Sequence, residues 1–218
     1  MTSPVAIFDC DGTLIDGQAS ICEAMEAAFA GFDLPAPQRG DVRRAVGLSL
    51  PQAVRSLLPD EAEDLHHRIV EAYKREFRTA RTEGRIAQPL VSGIPDLLDR
   101  LQAAGWQLAV ATGMSDRGLD HCLAANGIAD RFVSLQTADR HPSKPDPSMI
   151  DQVLADCAAD RSQAVMIGDT TYDIQMAANA QVRGIGVDWG YHQPRELTAC
   201  GAELVASSPA QIGEHLLS

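Results

Sequence analysis

The feature that most constrains this chain is a repeated alternation of short apolar runs with amphipathic segments. Five runs are largely apolar: 5–8, 107–111, 131–135, 164–167 and 184–187. Runs of this length predict strands that are buried on both faces, as in a parallel sheet covered by helices. Helical spacing of apolar residues between the runs predicts helices over 94–104, 116–126, 147–156 and 171–180. The pattern therefore predicts right-handed βαβ units and an α/β fold.

The stretch 17–88 breaks this alternation. It contains no strand-like run, and its apolar residues recur at helical spacing between glycine and proline breakers. We expect an all-helical insertion of about four helices directly after the first strand. The expected domains are an α/β core formed by 1–16 and 89–218 and a helical cap formed by 17–88.

Bulk charge and cysteine usage narrow the function classes. The chain has 18 basic and 30 acidic residues, a net charge of −12, which disfavours nucleic acids and anionic membranes as partners. It has neither an apolar run of 18 residues nor a signal-peptide pattern. Its five cysteines lack CxxC or zinc-type spacing. We expect a cytoplasmic protein, a monomer or a homodimer, that acts on a small molecule.

Polar residues collect where the predicted strands end. Asp9 and Asp11 follow the first strand, and the later strands and their loops contribute Thr112, Lys144, Asp169 and Asp173. Ligands of an open parallel sheet bind at the carboxyl ends of its strands, so these side chains should share one site. Four carboxylates in one place favour a bound cation, and oxygen ligands favour Mg²⁺.

The residue types at this edge suit phosphoryl transfer. Asp9, fixed at the tip of a buried strand, suits a nucleophile that forms an aspartyl-phosphate. Asp11 suits an acid that protonates the leaving alcohol and then a base that activates water. The phosphoryl oxygens need cations and hydrogen-bond donors, which Mg²⁺, Lys144, the Thr112 hydroxyl and loop amides would supply. The loop amides are those of Gly12, Thr13 and Gly113.

Four motifs in this chain resemble those of the haloacid dehalogenase-like hydrolase superfamily. They are DCDGTLID over 9–16, ATG over 111–113, KPDP over 144–147 and GDTTYD over 168–173. The resemblance implies a Rossmann-like parallel core with strand order 3-2-1-4-5. It also implies Mg²⁺ bound by the Asp9 carboxylate, the Asp11 backbone carbonyl and Asp169, with Asp173 as an outer or occasional direct ligand.

The insertion resembles the helical C1 cap of the phosphoglycolate phosphatase and β-phosphoglucomutase branch. Such a cap closes over the site and carries specificity residues. Our candidates are Arg43 and Arg44, whose guanidiniums suit a carboxylate or second phosphate, and Gly47, which allows close approach. The alternative is that both arginines are solvated helix charges.

The function expected from these residues is Mg²⁺-dependent hydrolysis of a small-metabolite phosphomonoester, either phosphoglycolate-like or a sugar phosphate. A β-phosphoglucomutase-like phosphomutase uses the same aspartyl-phosphate and stays open as an alternative. A non-catalytic phosphate-binding module is a third candidate, although the intact set of Asp9, Asp11, Lys144 and Asp169 disfavours it.

Overall fold

The computed structural model describes residues 3–218 and contains one six-stranded, fully parallel sheet of order β3-β2-β1-β4-β5-β6. The strands are β1 Val5–Phe8, β2 Gln107–Thr112, β3 Ser134–Thr137, β4 Ala164–Gly168, β5 Arg183–Val187 and β6 Leu204–Ala206. The predicted α/β class and the order 3-2-1-4-5 are confirmed, with a sixth strand added at the β5 edge.

Helices cover both faces of this sheet. The core helices are α5 Ile94–Ala103, α6 Asp116–Ala125, α7 Ser148–Cys157, α8 Thr171–Asn179, α9 Pro194–Ala199 and α10 Pro209–Leu216. Alternation along β1 divides the apolar core into two layers. Ala6 and Phe8 pack with α5, α6 and α10, while Val5 and Ile7 pack with α7 and α8. All four β1 side chains are inaccessible to solvent, which fixes the residues that follow β1 in the middle of the sheet.

Two strands differ from the sequence prediction. The predicted third strand, 131–135, is displaced, because Ala129–Arg131 form a short 3-10 turn and β3 begins at Ser134. This strand buries polar side chains, since Ser134 Oγ and Gln136 Nε2 donate to Asp156 Oδ2 at 2.7 and 2.8 Å. β6 has only three residues, so it lacks a recognisable apolar run. Hydrogen-bonded polar strands and very short strands escape a search for apolar runs.

Four helices fill the insertion: α1 Gln18–Ala30, α2 Arg39–Ala45, α3 Leu50–Leu57 and α4 Glu63–Thr82. They share an apolar cluster of their own, formed mainly by α1 and α4. This agrees with the expected helix number, whereas the domain boundaries at 16/17 and 88/89 stay a prediction. Throughout 3–218, every helix is too short or too polar to span a lipid bilayer.

Candidate active site

The tip of β1 positions Asp9 and Asp11. The Asp9 amide donates to Ile167 O at 2.9 Å, so Asp9 extends the ladder between β1 and β4, and its side chain is 1% exposed. A tight turn follows, closed by the Gly12 amide donating to Ile15 O at 2.8 Å. Cys10 points the other way, into the apolar core, as expected from strand alternation.

Lys144 lies between two carboxylates at the centre of the site. Its Nζ donates to Asp9 Oδ1 and to Asp173 Oδ1, both at 2.6 Å, and all three side chains are at most 1% exposed. Burial alone would lower the pKa of Lys144, but the Asp173 and Asp9 carboxylates outweigh it and hold this pKa above its usual value. Lys144 is therefore a fixed cation that orients both carboxylates.

The turn between β4 and α8 orients the carboxylates of Asp169 and Asp173. Asp173 Oδ2 accepts from the Thr170 amide at 3.0 Å and from Thr170 Oγ at 2.7 Å. The Asp173 amide in turn donates to Thr170 Oγ at 3.4 Å, which completes a capping box. Asp169 Oδ1 accepts from Thr13 Oγ at 3.0 Å, and Asp169 Oδ2 accepts from the Tyr191 amide at 2.8 Å. These bonds hold each carboxylate in one orientation before any ligand binds.

Glycines surround Asp169 because larger residues would not fit. A Cβ on Gly12 would lie 2.3 Å from Asp169 Oδ2, and a Cβ on Gly190 would lie 2.1 Å from Asp169 Cβ. Gly12 also has a φ of +86°, which disfavours other L-residues. The first motif thus requires glycine at position 12 for both its turn and its packing.

Burial perturbs the acidities of the clustered carboxyls. Burial raises the pKa of Asp9 to about 6, with the Asp173 carboxylate adding to the rise and Lys144 opposing it. Burial and the neighbouring Asp9 charge raise the pKa of Asp11 to about 7. For Asp169, burial together with the Asp9 and Asp173 charges raises the pKa well above its usual range. Burial is the main cause of each rise, and the neighbouring carboxylates add to it.

The arrangement fits a divalent cation. Asp9, Asp169 and Asp173 each offer an oxygen, and these oxygens lie within 4.8 Å of one another. Asp9 Oδ2 is buried and lacks a hydrogen-bond partner, so this oxygen is available to a ligand. Hard carboxylate oxygens are the ligand type that Mg²⁺ takes in proteins. The Asp11 side chain lies outside this set, and its predicted contribution through the backbone carbonyl stays a prediction.

The second motif lies at the end of β2, where it meets the cap. Thr112, at the end of β2, is buried, and its Oγ accepts from the Met114 amide at 3.3 Å, which leaves the hydroxyl proton free to donate. Gly113 lies under the cap, because a Cβ there would lie 2.4 Å from Leu48 O. Gly47, with a φ of +97°, packs closely on Thr170, since a Cβ there would lie 2.9 Å from Thr170 Oγ. Of the predicted cap residues, Gly47 is the one that the structure brings to the site.

The structure does not bring Arg43 and Arg44 to the site. Arg44 Nη2 lies 3.0 Å from Glu196 Oε1 on α9, and its backbone carbonyl accepts from Tyr172 Oη and His192 Nε2, both at 3.2 Å. Arg43 lines a separate groove beside α1. The predicted specificity role of both arginines is therefore unsupported, because α2 presents its basic face to α9 and to α1 rather than to the carboxylates.

A cavity of about 420 Å³ lies between cap and core. Asp9, Asp11, Thr112 and Gly113 form part of its lining. The cap contributes apolar side chains and residues of α4, and α6 contributes Arg117. The α4 residues at the cavity are Tyr73, Lys74, Phe77, Arg78 and Arg81. Sequence reasoning missed these basic residues, although Lys74, Phe77, Arg78 and Arg81 share one helix face by their i, i+3, i+4 and i+7 spacing.

The site and fold together define a hydrolase class. A family model described as haloacid dehalogenase-like hydrolase matches residues 6–187, and the chain belongs to that family. The chain is 31% identical over 214 residues to "Probable phosphatase IndB" of Dickeya dadantii, across 96% of this chain and 91% of that protein.

Two further similarities extend over nearly the whole chain. A phosphoglycolate phosphatase of Caulobacter vibrioides is 31% identical over 214 residues, across 92% of this chain and 85% of that protein. A solved hydrolase from Pseudomonas syringae has the same fold, with a TM-score of 0.86, 23% identity and 98% coverage of both chains. At the level of the family, these matches confirm the predicted recognition and enzyme class.

Proposed function

We propose that this protein is a metal-dependent phosphatase that hydrolyses a phosphomonoester of a small metabolite through an aspartyl-phosphate on Asp9. The observation that carries the proposal is the state of the Asp9 carboxylate. Lys144 fixes Oδ1, while Oδ2 is buried and without a partner at a cavity large enough for a metabolite. An oriented carboxylate with one free oxygen, facing a ligand cavity, suits nucleophilic attack.

In the first step, the Asp9 carboxylate attacks phosphorus, and the ester oxygen departs with its bonding electrons. Asp11, two residues along the same turn, donates a proton to that oxygen, so the product leaves as a neutral alcohol. Lys144 keeps Asp9 in its attacking orientation, and the Thr112 hydroxyl donates to a phosphoryl oxygen.

In the second step, Asp11 reverses its role. Its carboxylate removes a proton from water, and the resulting oxygen attacks the phosphorus of the aspartyl-phosphate. The bond from phosphorus to Asp9 breaks, the electrons return to the carboxylate, and inorganic phosphate leaves. The unpartnered buried Asp11 Oδ1 is the acceptor that this proton transfer needs.

Asp9, Asp169 and Asp173 would hold Mg²⁺, together with the Asp11 carbonyl. The bound ion would neutralise the clustered carboxylates and the charge on the phosphoryl oxygens. We also propose a cytoplasmic location, which is supported by five free cysteines, of which Cys10, Cys22, Cys122 and Cys157 are buried.

The test uses p-nitrophenyl phosphate and phosphoglycolate with Mg²⁺, followed by acid quenching and hydroxylamine, which cleaves acyl phosphates. Wild-type protein should release phosphate. Asp9→Asn should neither release phosphate nor carry a phosphoryl group after the acid quench. Asp11→Asn should retain a hydroxylamine-labile phosphoryl group, because water activation is lost. Asp188→Asn is the matched control, since Asp188 follows β5 at the same sheet edge but is exposed.

The same experiment discriminates the alternatives. A phosphomutase would transfer the phosphoryl group to a second hydroxyl of its substrate and release little inorganic phosphate. A binding module would bind phosphate without turnover in every variant. Full activity of Asp9→Asn would refute the assignment of the nucleophile.

A further inference from the structure

The cavity above the carboxylates has two chemically different parts. Its walls are largely apolar and come from the cap, through Ile21, Met25, Val42, Tyr73 and Phe77. Tyr73 and Phe77 stack with ring centroids 5.7 Å apart, which places two aromatic rings together at the cavity. A volume of about 420 Å³ is in the range of sites that enclose drug-sized ligands rather than two-carbon molecules.

The second part is a group of three arginines, Arg78 and Arg81 on α4 and Arg117 on α6, which we call the arginine group. All three line the cavity. Within residues 3–218 none of the three has a carboxylate within ion-pair distance. By contrast, Arg44, Arg55, Arg131, Arg140 and Arg183 are each paired with an acidic side chain. In a chain with 30 acidic residues, three arginines without an ion pair at one cavity provide donors for an anionic ligand.

Arg81 shows most clearly that a partner is absent. Its Nε is buried and has no hydrogen-bond partner, and its guanidinium lies 5.5 Å from the centre of the Phe77 ring. Burial lowers the pKa of Arg81, and the neighbouring Arg117 lowers it further. A buried donor without a partner destabilises the protein, and an anion that bridges Arg81 and Arg117 would supply that partner.

Tyr73 is close enough to both Asp11 and the arginine group to feel their charges. Burial raises the pKa of the Tyr73 phenol, and the Asp11 charge adds to this rise while the Arg81 charge opposes it. Tyr73 therefore lies within electrostatic range of both Asp11 and Arg81. Tyr73, the carboxylates of Asp9 and Asp11, and the arginine group all line the same cavity.

We propose that the substrate of this site is a phosphomonoester with an apolar, preferably aromatic, body and a second anionic group, which Arg81 and Arg117 bind. The inference rests on the proposed phosphatase function and specifies its substrate class. The phosphate meets the carboxylates and Lys144, the body contacts Tyr73 and Phe77, and a distal carboxylate or phosphate accepts hydrogen bonds from the two guanidiniums.

The experiment compares 4-(carboxymethyl)phenyl phosphate with 4-ethylphenyl phosphate. The two leaving phenols have similar acidity, so the ratio of their kcat/KM values reports recognition of the carboxylate. Wild-type protein should prefer the carboxylated ester by about 10- to 100-fold, the range expected for charge-assisted hydrogen bonds. It should also prefer this ester to phosphoglycolate, which has a carboxylate but no apolar body.

Arg81→Gln and Arg117→Gln should each reduce that preference several-fold. Arg195→Gln should keep it, since Arg195 lies on α9, outside the cavity, and is exposed. Arg117 is itself exposed, so its variant tests the idea even if Arg81→Gln destabilises the protein.

The outcomes separate the two proposals. Equal hydrolysis of both aryl esters by the wild type, or an undiminished preference in both cavity variants, would overturn the substrate class while leaving the phosphatase intact. A preference for phosphoglycolate over the carboxylated aryl ester would do the same. If no ester is hydrolysed with Mg²⁺ present, both proposals are wrong.

Discussion

The ammonium of Lys144 lies 2.6 Å from Asp9 Oδ1, in a position that solvent does not reach. The same ammonium bridges to Asp173, so one cation balances two of the carboxylates that the site assembles. Without it, Asp9, Asp169 and Asp173 would be three buried acids with no cationic neighbour among the described residues. Lys144 therefore makes the acidic cluster compatible with a folded core.

Removing this cation should destabilise the protein. Lys144→Met should lower the free energy of unfolding in EDTA by about 3–5 kcal/mol, because it leaves two buried carboxylates unpaired. Turnover of p-nitrophenyl phosphate should fall by at least about 100-fold, since Asp9 loses its orientation. Urea unfolding and initial rates measure the two effects.

Arg183→Gln is the control for that prediction. Arg183 pairs with Glu203 at 2.6 Å, but its side chain is 42% exposed, so breaking the pair should cost under about 1 kcal/mol. Equal losses in the two variants would show that burial does not strengthen the role of Lys144.

A methyl group at position 12 should damage the site through contact rather than backbone strain alone. Gly12→Ala should destabilise the protein by about 1–2 kcal/mol for its positive φ, plus about 1–3 kcal/mol for the clash with Asp169 and Tyr191. Displacing Asp169 should also reduce turnover by about 100-fold.

Gly105→Ala separates the two contributions. Gly105 has a φ of +84°, close to the +86° of Gly12, but a Cβ there would meet nothing within 4 Å. Gly105→Ala should lose only the free energy of unfolding that the positive φ costs, and its turnover should be unchanged. Comparable turnover in both variants would mean that Asp169 tolerates displacement.

The core could be predicted from the sequence because a strand that is buried on both faces is apolar at every position. β1 is apolar at every position, and the motif carboxylates follow such strands directly, so their clustering at one edge of the sheet could be predicted from the residues. The strand order was predicted from the resemblance of the motifs to a known family. The prediction placed β3 too early in the chain because this strand buries polar side chains, which form hydrogen bonds with Asp156. A search for runs of apolar residues does not detect such a strand.

The cap was predictable as helices but not in its orientation. Which helix faces the carboxylates depends on contacts between elements distant in sequence, such as the Ser49 amide donating to Ser143 Oγ at 2.8 Å. With the cap docked in this way, α4 lines the cavity and Arg44 pairs with Glu196. Both α2, which carries Arg44, and α4, which carries Arg81, are rich in basic residues, so composition alone could not show which arginine reaches the cavity.

Magnesium should stabilise the folded protein by an amount that rises with the logarithm of its concentration above the Kd. A ligand that binds only the folded state adds about 2.7 kcal/mol at 100 times its Kd, so the Tm should rise with Mg²⁺ concentration and return to its starting value with EDTA. Asp169→Asn should abolish the rise, whereas Asp188→Asn should retain it. Differential scanning fluorimetry measures the series. A full Tm response in Asp169→Asn would exclude Asp169 as a ligand.

Acid should weaken the contact between α2 and α9 that Glu196 makes with Arg44. Hydrogen bonding to Arg44, with help from the Gln193 amide, lowers the pKa of Glu196 to about 2 from a usual value of 4.5. Because the folded pKa is depressed, the pair stabilises the protein fully above about pH 4.5, and this contribution is lost as the pH falls toward 2. Urea unfolding from pH 6 to 2.5 should show the free energy of unfolding of the wild type converging on that of Glu196→Gln.

Glu63→Gln is the control for this prediction. Its partner Arg55 lies within the cap, and the Glu63 side chain is 63% exposed, so the difference in unfolding free energy from the wild type should change less with pH. A wild-type advantage over Glu196→Gln that stays constant across this range would show that the pair does not titrate with folding.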